Sequence, residues 1–139
     1  MVIAVIDGMG GGAGKAMVEA LLKTCPDAEI WALGTNALAT AAMKKAGAHK
    51  AATGENAICV SCRKADVIVG SLGIVLAESM MGEVTPRMAH EISACAAPKI
   101  LAPTNRCHVT LVGLRDMPMG QQVEELAQRV AEEAARLRG

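Results

Sequence analysis

The chain of 139 residues contains no phenylalanine and no tyrosine, and Trp31 is its only tryptophan. So few rings leave almost no platform on which single-stranded bases or a flavin would stack. Trp31 lies inside an apolar run and is expected in the core. Charge of one sign is also missing: 14 Lys and Arg stand against 14 Asp and Glu, and the longest basic groupings are the pairs Lys44–Lys45 and Arg63–Lys64. A nucleic-acid partner would need a basic stripe that is not there. Hydrophobic residues make up 52% of the chain, yet the longest uninterrupted apolar run is about six residues, against the ~20 that a membrane-spanning helix requires. No membrane partner is expected. Met1 leads straight into Val2 to Ile6 without the basic start and cleavage site of an export signal, so a cytoplasmic location is the expectation. In that reducing setting five cysteines, an odd number, read as thiols rather than as a disulfide framework.

What the chain does contain is an alternation of strand and helix signals. Val2 to Ile6 is a β-branched apolar run ending at Asp7-Gly8, the pattern of a buried parallel strand. A helix is predicted from Gly12 to Thr24, stopped by Pro26, then a strand over Glu29 to Leu33 and a helix opened by Asn36 that runs to Lys45, with Gly47 at its end. His49 to Ala52 reads as a weak third strand, Glu55 to about Lys64 as a helix, and Asp66 to Gly70 as a strong fourth strand. Leu72 to Met81 is apolar enough for a helix. Thr85-Pro86 then supplies an N-cap and first helical residue for a helix ending near Cys95. Lys99 to Ala102 is a fifth strand and Val109 to Leu114 a sixth. The short Thr104 to His108 connection suits a hairpin, so that sixth strand is expected as an antiparallel edge. A charged helix from about Gln121 to Leu137 closes the chain. Residues 1–139 are thus expected to form one α/β domain, a three-layer, Rossmann-like, doubly wound and mostly parallel sheet of about six strands in the order 3-2-1-4-5-6.

The segment Asp7-Gly8-Met9-Gly10-Gly11-Gly12-Ala13-Gly14-Lys15 joins the first strand to the first helix. Its five glycines allow a tight turn and the close approach of a ligand, and the helix N-terminus offers free amides and a positive dipole end to a phosphate. Lys15 in the first turn opposes that dipole by roughly 0.3–1 kcal/mol unless an anion is near. A Walker A loop is excluded, because its first glycine would fall on Met9 and its hydroxyl on Ala16. The competing reading is a turn that only packs the helix against the strand.

The spacing Gly8-x-x-x-Gly12-x-Gly14 resembles the Gly-x-x-x-Gly-x-Gly loop of short-chain dehydrogenases, with Asp7 in place of their usual threonine. The likeness covers about the first fifteen residues. That family's catalytic Tyr-x-x-x-Lys pair has no counterpart in a chain without tyrosine. Where NAD-binding dehydrogenases place an acid after the second strand, this chain has Gly34-Thr35-Asn36, which leaves NAD, NADP and a mononucleotide as alternatives. Over its whole length, through VIDGMGGGAGKA, ALGTNALATAAMKKAGA, ATGENAI and LAPTNRC, the chain resembles a small bacterial family catalogued as domain of unknown function 3842. That resemblance implies a Rossmann-like fold.

In open parallel sheets ligands bind beyond the carboxyl ends of the strands. The loops there bring Thr35, Asn36, Gly70, Ser71, Asn105 and Arg106 into the candidate site beside Gly8, Gly10, Gly11, Gly12, Ala13, Gly14 and Lys15. The chain's three asparagines, Asn36, Asn56 and Asn105, all fall in these loops; helix capping by Asn36 and Asn56 and a turn at Asn105 are the plainer readings. Asp7 and Glu55 are the candidate general acid or base residues, although Asp7 would equally brace the glycine turn. Cys59-Val60-Ser61-Cys62 lies within a predicted helix and reads as buried thiols rather than half a metal site. The methionines, Met80 and Met81 included, read as core or as a dimer contact. The function expected is binding of a small phosphorylated ligand, NAD(P) or a mononucleotide, without metal, with a homodimer as the protein partner. Acid/base chemistry on a phosphorylated metabolite and a non-catalytic interaction subunit are the alternatives.

Overall fold

Strand β1, Val2–Asp7, has five of its six residues buried, as a β-branched run covered on both faces must. The computed structural model describes residues 1–139. After β1 come α1 (Gly12–Thr24), β2 (Glu29–Gly34), α2 (Ala37–Lys45), β3 (Lys50–Thr53), α3 (Glu55–Cys62), β4 (Val67–Ser71), a single 3-10 turn (Leu72–Val75), α4 (Pro86–Ala94), β5 (Lys99–Ala102) and α5 (Met119–Arg138). The five strands form one sheet in the order β3-β2-β1-β4-β5, with every neighbouring pair parallel. None of the helices is long and apolar enough to cross a membrane.

Alternate residues of β1 point to opposite faces. Ile3 and Val5 meet Met17, Val18 and Leu21 of α1, Met43 of α2 and Leu126 and Val130 of α5. Ala4 and Ile6 meet Ile58 of α3, Met88 and Ile92 of α4, and Ile74. The result is the doubly wound, Rossmann-like α/β layout expected. The chain runs outward from β1 through β2 to β3, then crosses to β4 on the other side of β1. The winding therefore reverses between β1 and β4, the place where such sheets open a crevice. Register aligns the strand ends there: Asp7 pairs with Gly34, Ile6 with Gly70, and Gly34 with Thr53.

Several expectations are corrected. The sheet has five strands, because Val109 to Leu114 pairs with nothing and Val112 is fully exposed at 101%. Left-handed backbone at Asn105 (φ 53) and Cys107 (φ 53) diverts the chain from a hairpin, and β5 stays an edge. The antiparallel sixth strand is therefore absent. The stretch Leu72 to Met81 is helical only over Leu72–Val75. Beyond it Glu78, Met80, Met81 and Gly82 all take positive φ, which no helix accommodates. Met80 is buried while Met81 is 91% exposed, so the pair is not one core element. Helix α3 ends at Cys62, and its N-cap is Gly54 with no side-chain cap bond, which puts Asn56 inside the helix rather than at its cap. Trp31 is only half-buried, because β3 beside it is a short edge strand, and Lys50 covers its ring at 5.5 Å. By contrast, Asn36 caps α2 through Ala39 N and Thr85 caps α4 through Met88 N.

A segment outside the sheet tolerates charge. Val112→Asp is expected to change unfolding stability by less than ~0.5 kcal/mol, whereas Ile3→Ala, at a fully buried position, costs about 2–5 kcal/mol. Urea denaturation of the two variants checks this. A Val112→Asp loss as large as that of Ile3→Ala would mean the segment is paired after all.

Candidate functional site

The candidate site is built around the end of β1. Asp7 is buried, and its Oδ2 accepts the Gly14 amide at 2.6 Å. Burial pushes the Asp7 carboxyl above its usual range, against the opposing pull of the Gly14 and Gly8 amides. Asp7 thus ties the strand to the first turn of α1. The Asp7 backbone carbonyl accepts the Thr35 amide at 3.0 Å, which joins the loops after β1 and β2.

The five glycines of the loop divide into two kinds. A Cβ on Gly8 would stand 2.6 Å from Thr35 Oγ1, one on Gly11 (φ +78) 2.8 Å from Ala39 Cα, and one on Gly14 2.6 Å from Met43 Sδ and 2.8 Å from Asp7 Cβ. The fold itself requires glycine at those three. A Cβ on Gly10 or Gly12 would meet nothing within 4 Å, and neither residue has positive φ. Within this loop the Met9 amide donates to Glu83, the Gly11 amide to Gly8 O, the Gly14 amide to Asp7 and the Lys15 amide to Gly11 O. The amides of Gly10, Gly12 and Ala13 have no partner in the chain. Lys15 is exposed and in no ion pair, and α1 has no acid in its first turn. The loop and the first turn of α1 thus have three open amides and one nearby cation, while the carboxylates of Asp7 and Glu83 already take the Gly14 and Met9 amides on either side of them.

The residue that sequence reasoning missed is Glu83. Its Oε1 accepts the Met9 amide at 2.8 Å, the Thr35 hydroxyl at 2.6 Å and Asn36 Nδ2 at 2.8 Å. The Thr35 hydroxyl, then the Met9 amide and Asn36, hold its carboxyl below the usual range. Asn36 Nδ2 also donates to Met9 O at 2.9 Å. Thr35 and Asn36 are therefore brought to the glycine loop, with a carboxylate between them. The available signal was an acid in a strand-to-helix connection at the carboxyl end of the sheet, hidden while Leu72 to Met81 read as helix.

The remaining candidates lie around this centre. Gly70 packs against Ile6 O, and buried Ser71 accepts Asn105 Nδ2 at 3.1 Å, so Asn105 latches the loop after β5 onto β4. Arg106 is exposed and unpaired. Glu55 faces the start of α4: Thr85 and the Arg87 guanidinium, at 3.2 Å, hold its carboxyl below the usual range, the state of a weak base. Cys59 and Cys62 are buried, and burial pushes the Cys62 thiol up to about 11, well away from thiolate chemistry. No three His, Cys, Asp or Glu side chains gather as metal ligands.

A family model described as Domain of unknown function (DUF3842) matches residues 2–135. The chain belongs to the DUF3842 family. No curated protein and no solved structure matches it. The glycine loop and Glu83 both lie within the stretch that DUF3842 covers.

The two buried or bonded carboxylates give opposite pH signatures. Glu83, lowered on folding, adds stability above the usual carboxylate range that is lost as pH falls through its folded pKa; Glu83→Gln should be less stable than wild type at neutral pH, with the gap closing in acid. Asp7, raised on folding, costs stability as pH rises from its unfolded to its folded pKa, and Asp7→Asn removes that slope. Thermal unfolding across pH 2–7 reads both, and identical profiles for the three proteins would contradict the assignments.

Proposed function

We propose that the chain binds a phosphate-bearing nucleotide, with the phosphate on the amides of Gly10, Gly12 and Ala13 and beside Lys15. The observation that carries this reading is the pair Gly10 and Gly12. Neither has left-handed φ nor a neighbour that a Cβ would meet, and glycine costs about 0.5–1 kcal/mol relative to alanine in a helix. Glycine at both, beside open amides, leaves room for a ligand to reach the backbone. The three open amides beside these glycines support an anionic group as that ligand's contact. NAD, NADP and mononucleotides all carry such a group.

Catalysis is a weaker expectation, since Asp7 is engaged with the backbone and Glu55 with Arg87. The site supports recognition more than proton transfer. The exposed segment around Val112 and the exposed Met81 leave self-association as the reading for a protein partner.

The test is the thermal midpoint of the full chain with NAD, NADP, ADP, ATP and inorganic phosphate. A ligand at a hundred times its dissociation constant contributes about 2.7 kcal/mol, several degrees in a domain of this size. Gly12→Ala should unfold at the same temperature as wild type or above it, yet lose most of the ligand shift, because its methyl fills only the ligand's space. Lys15→Glu should abolish the shift. A panel without any shift, or a Gly12→Ala protein that unfolds early, contradicts the reading.

A further inference from the structure

The acid that dinucleotide-binding folds carry at the end of the second strand, where it holds the ribose hydroxyls, is missing from Gly34-Thr35-Asn36. A carboxylate from elsewhere nevertheless reaches Thr35 and Asn36 just after that strand. Glu83, from the connection between β4 and α4, reaches 48 residues back along the chain to Thr35. Only one of its oxygens is used. Oε1 carries the bonds from Met9 N, Thr35 Oγ1 and Asn36 Nδ2, while Oε2 accepts no hydrogen bond. The side chain is only partly buried.

We infer that Glu83 is the ribose-recognition residue of this site, with Oε2 accepting the 2′- and 3′-hydroxyls of a nucleotide whose phosphate lies on the glycine loop. The ligand class is accordingly a ribonucleotide with an unmodified diol, and 2′-phosphorylated nucleotides are excluded. The inference rests on the glycine-loop reading above and narrows it. Three donors fix Oε1, so the carboxylate is oriented before the ligand arrives and little freedom remains to be lost on binding. A vicinal diol offers two O–H donors to one fixed, charged acceptor, the stronger class of hydrogen bond. A 2′-phosphate in the same place would set two anions against each other, since no Lys or Arg lies within 4.0 Å of the Glu83 carboxylate. The connection that delivers Glu83 takes left-handed backbone at Glu78, Met80 and Met81 as well as at Gly82. Buried Ser79 pins it by donating to Gly73 O.

Calorimetric titration of the full chain with NAD, NADP, ADP and 2′-deoxy-ADP tests the assignment. Loss of a hydrogen bond to a charged group corresponds to about tenfold or more in affinity. NAD should therefore bind about tenfold or more tighter than NADP, and ADP than 2′-deoxy-ADP. In Glu83→Gln the NAD to NADP ratio should collapse toward one. The wild-type ratios decide the matter on their own, so a variant that fails to fold leaves the test intact. Equal binding of NAD and NADP, abolished by Lys15→Glu, would overturn the role of Glu83 while the phosphate site stands. No binding of any of the four would overturn both.

Discussion

The carboxylate of Asp7, buried beneath the first turn of α1 and bonded to the Gly14 amide, is the joint on which the rest of the crevice depends. It fixes where the central strand stops and how closely the helix N-terminus follows, and Gly14 must lack a side chain for the two to meet. The burial that raises the Asp7 pKa is the cost of that joint, offset in part by the two amides it accepts. Because Asp7 O also receives the Thr35 amide, the same residue sets the loops after β1 and β2 in register with each other. Glu83 then bridges both loops from the far side of the switch point. Two carboxylates thus hold the backbone of the glycine loop from below and from the side, each through hydrogen bonds and neither through an ion pair.

The loop's glycines separate into those the packing constrains and those it leaves open. Gly8, Gly11 and Gly14 lie against side chains or backbone at distances no Cβ tolerates. Gly10 and Gly12 face open space, next to amides the chain leaves unbonded. A purely structural turn would need the first three and gain stability from alanine at the other two.

Periodicity exposed most of the fold. Apolar β-branched runs marked β1, β2 and β4, and local chemistry marked the caps at Asn36 and Thr85, since one polar side chain satisfies amides only two or three positions away. Val109 to Leu114 misled for a physical reason. Strand-like composition describes what fits a pleated surface, and pairing also needs a turn that returns the chain to the sheet; Asn105, whose side chain is engaged by Ser71, turns it elsewhere. Glu83 was illegible for a related reason. It lies 74 positions from the Met9 amide it receives, and its connection reaches the site through positive φ at glutamate and methionine, residues that announce no such turn. Local rules read the glycine loop from sequence; the carboxylate that completes the site is a tertiary contact.

The central claim is that the open amides of the glycine loop receive a nucleotide phosphate. Backbone amide NMR of the nitrogen-15-labelled chain titrated with ADP tests it most directly. The account predicts that the largest shifts fall on Gly10, Gly12 and Ala13, with smaller ones at Met9 and Thr35, while the exposed 109–114 segment stays unchanged. Saturable shifts centred anywhere else, or none at these three amides, would contradict it.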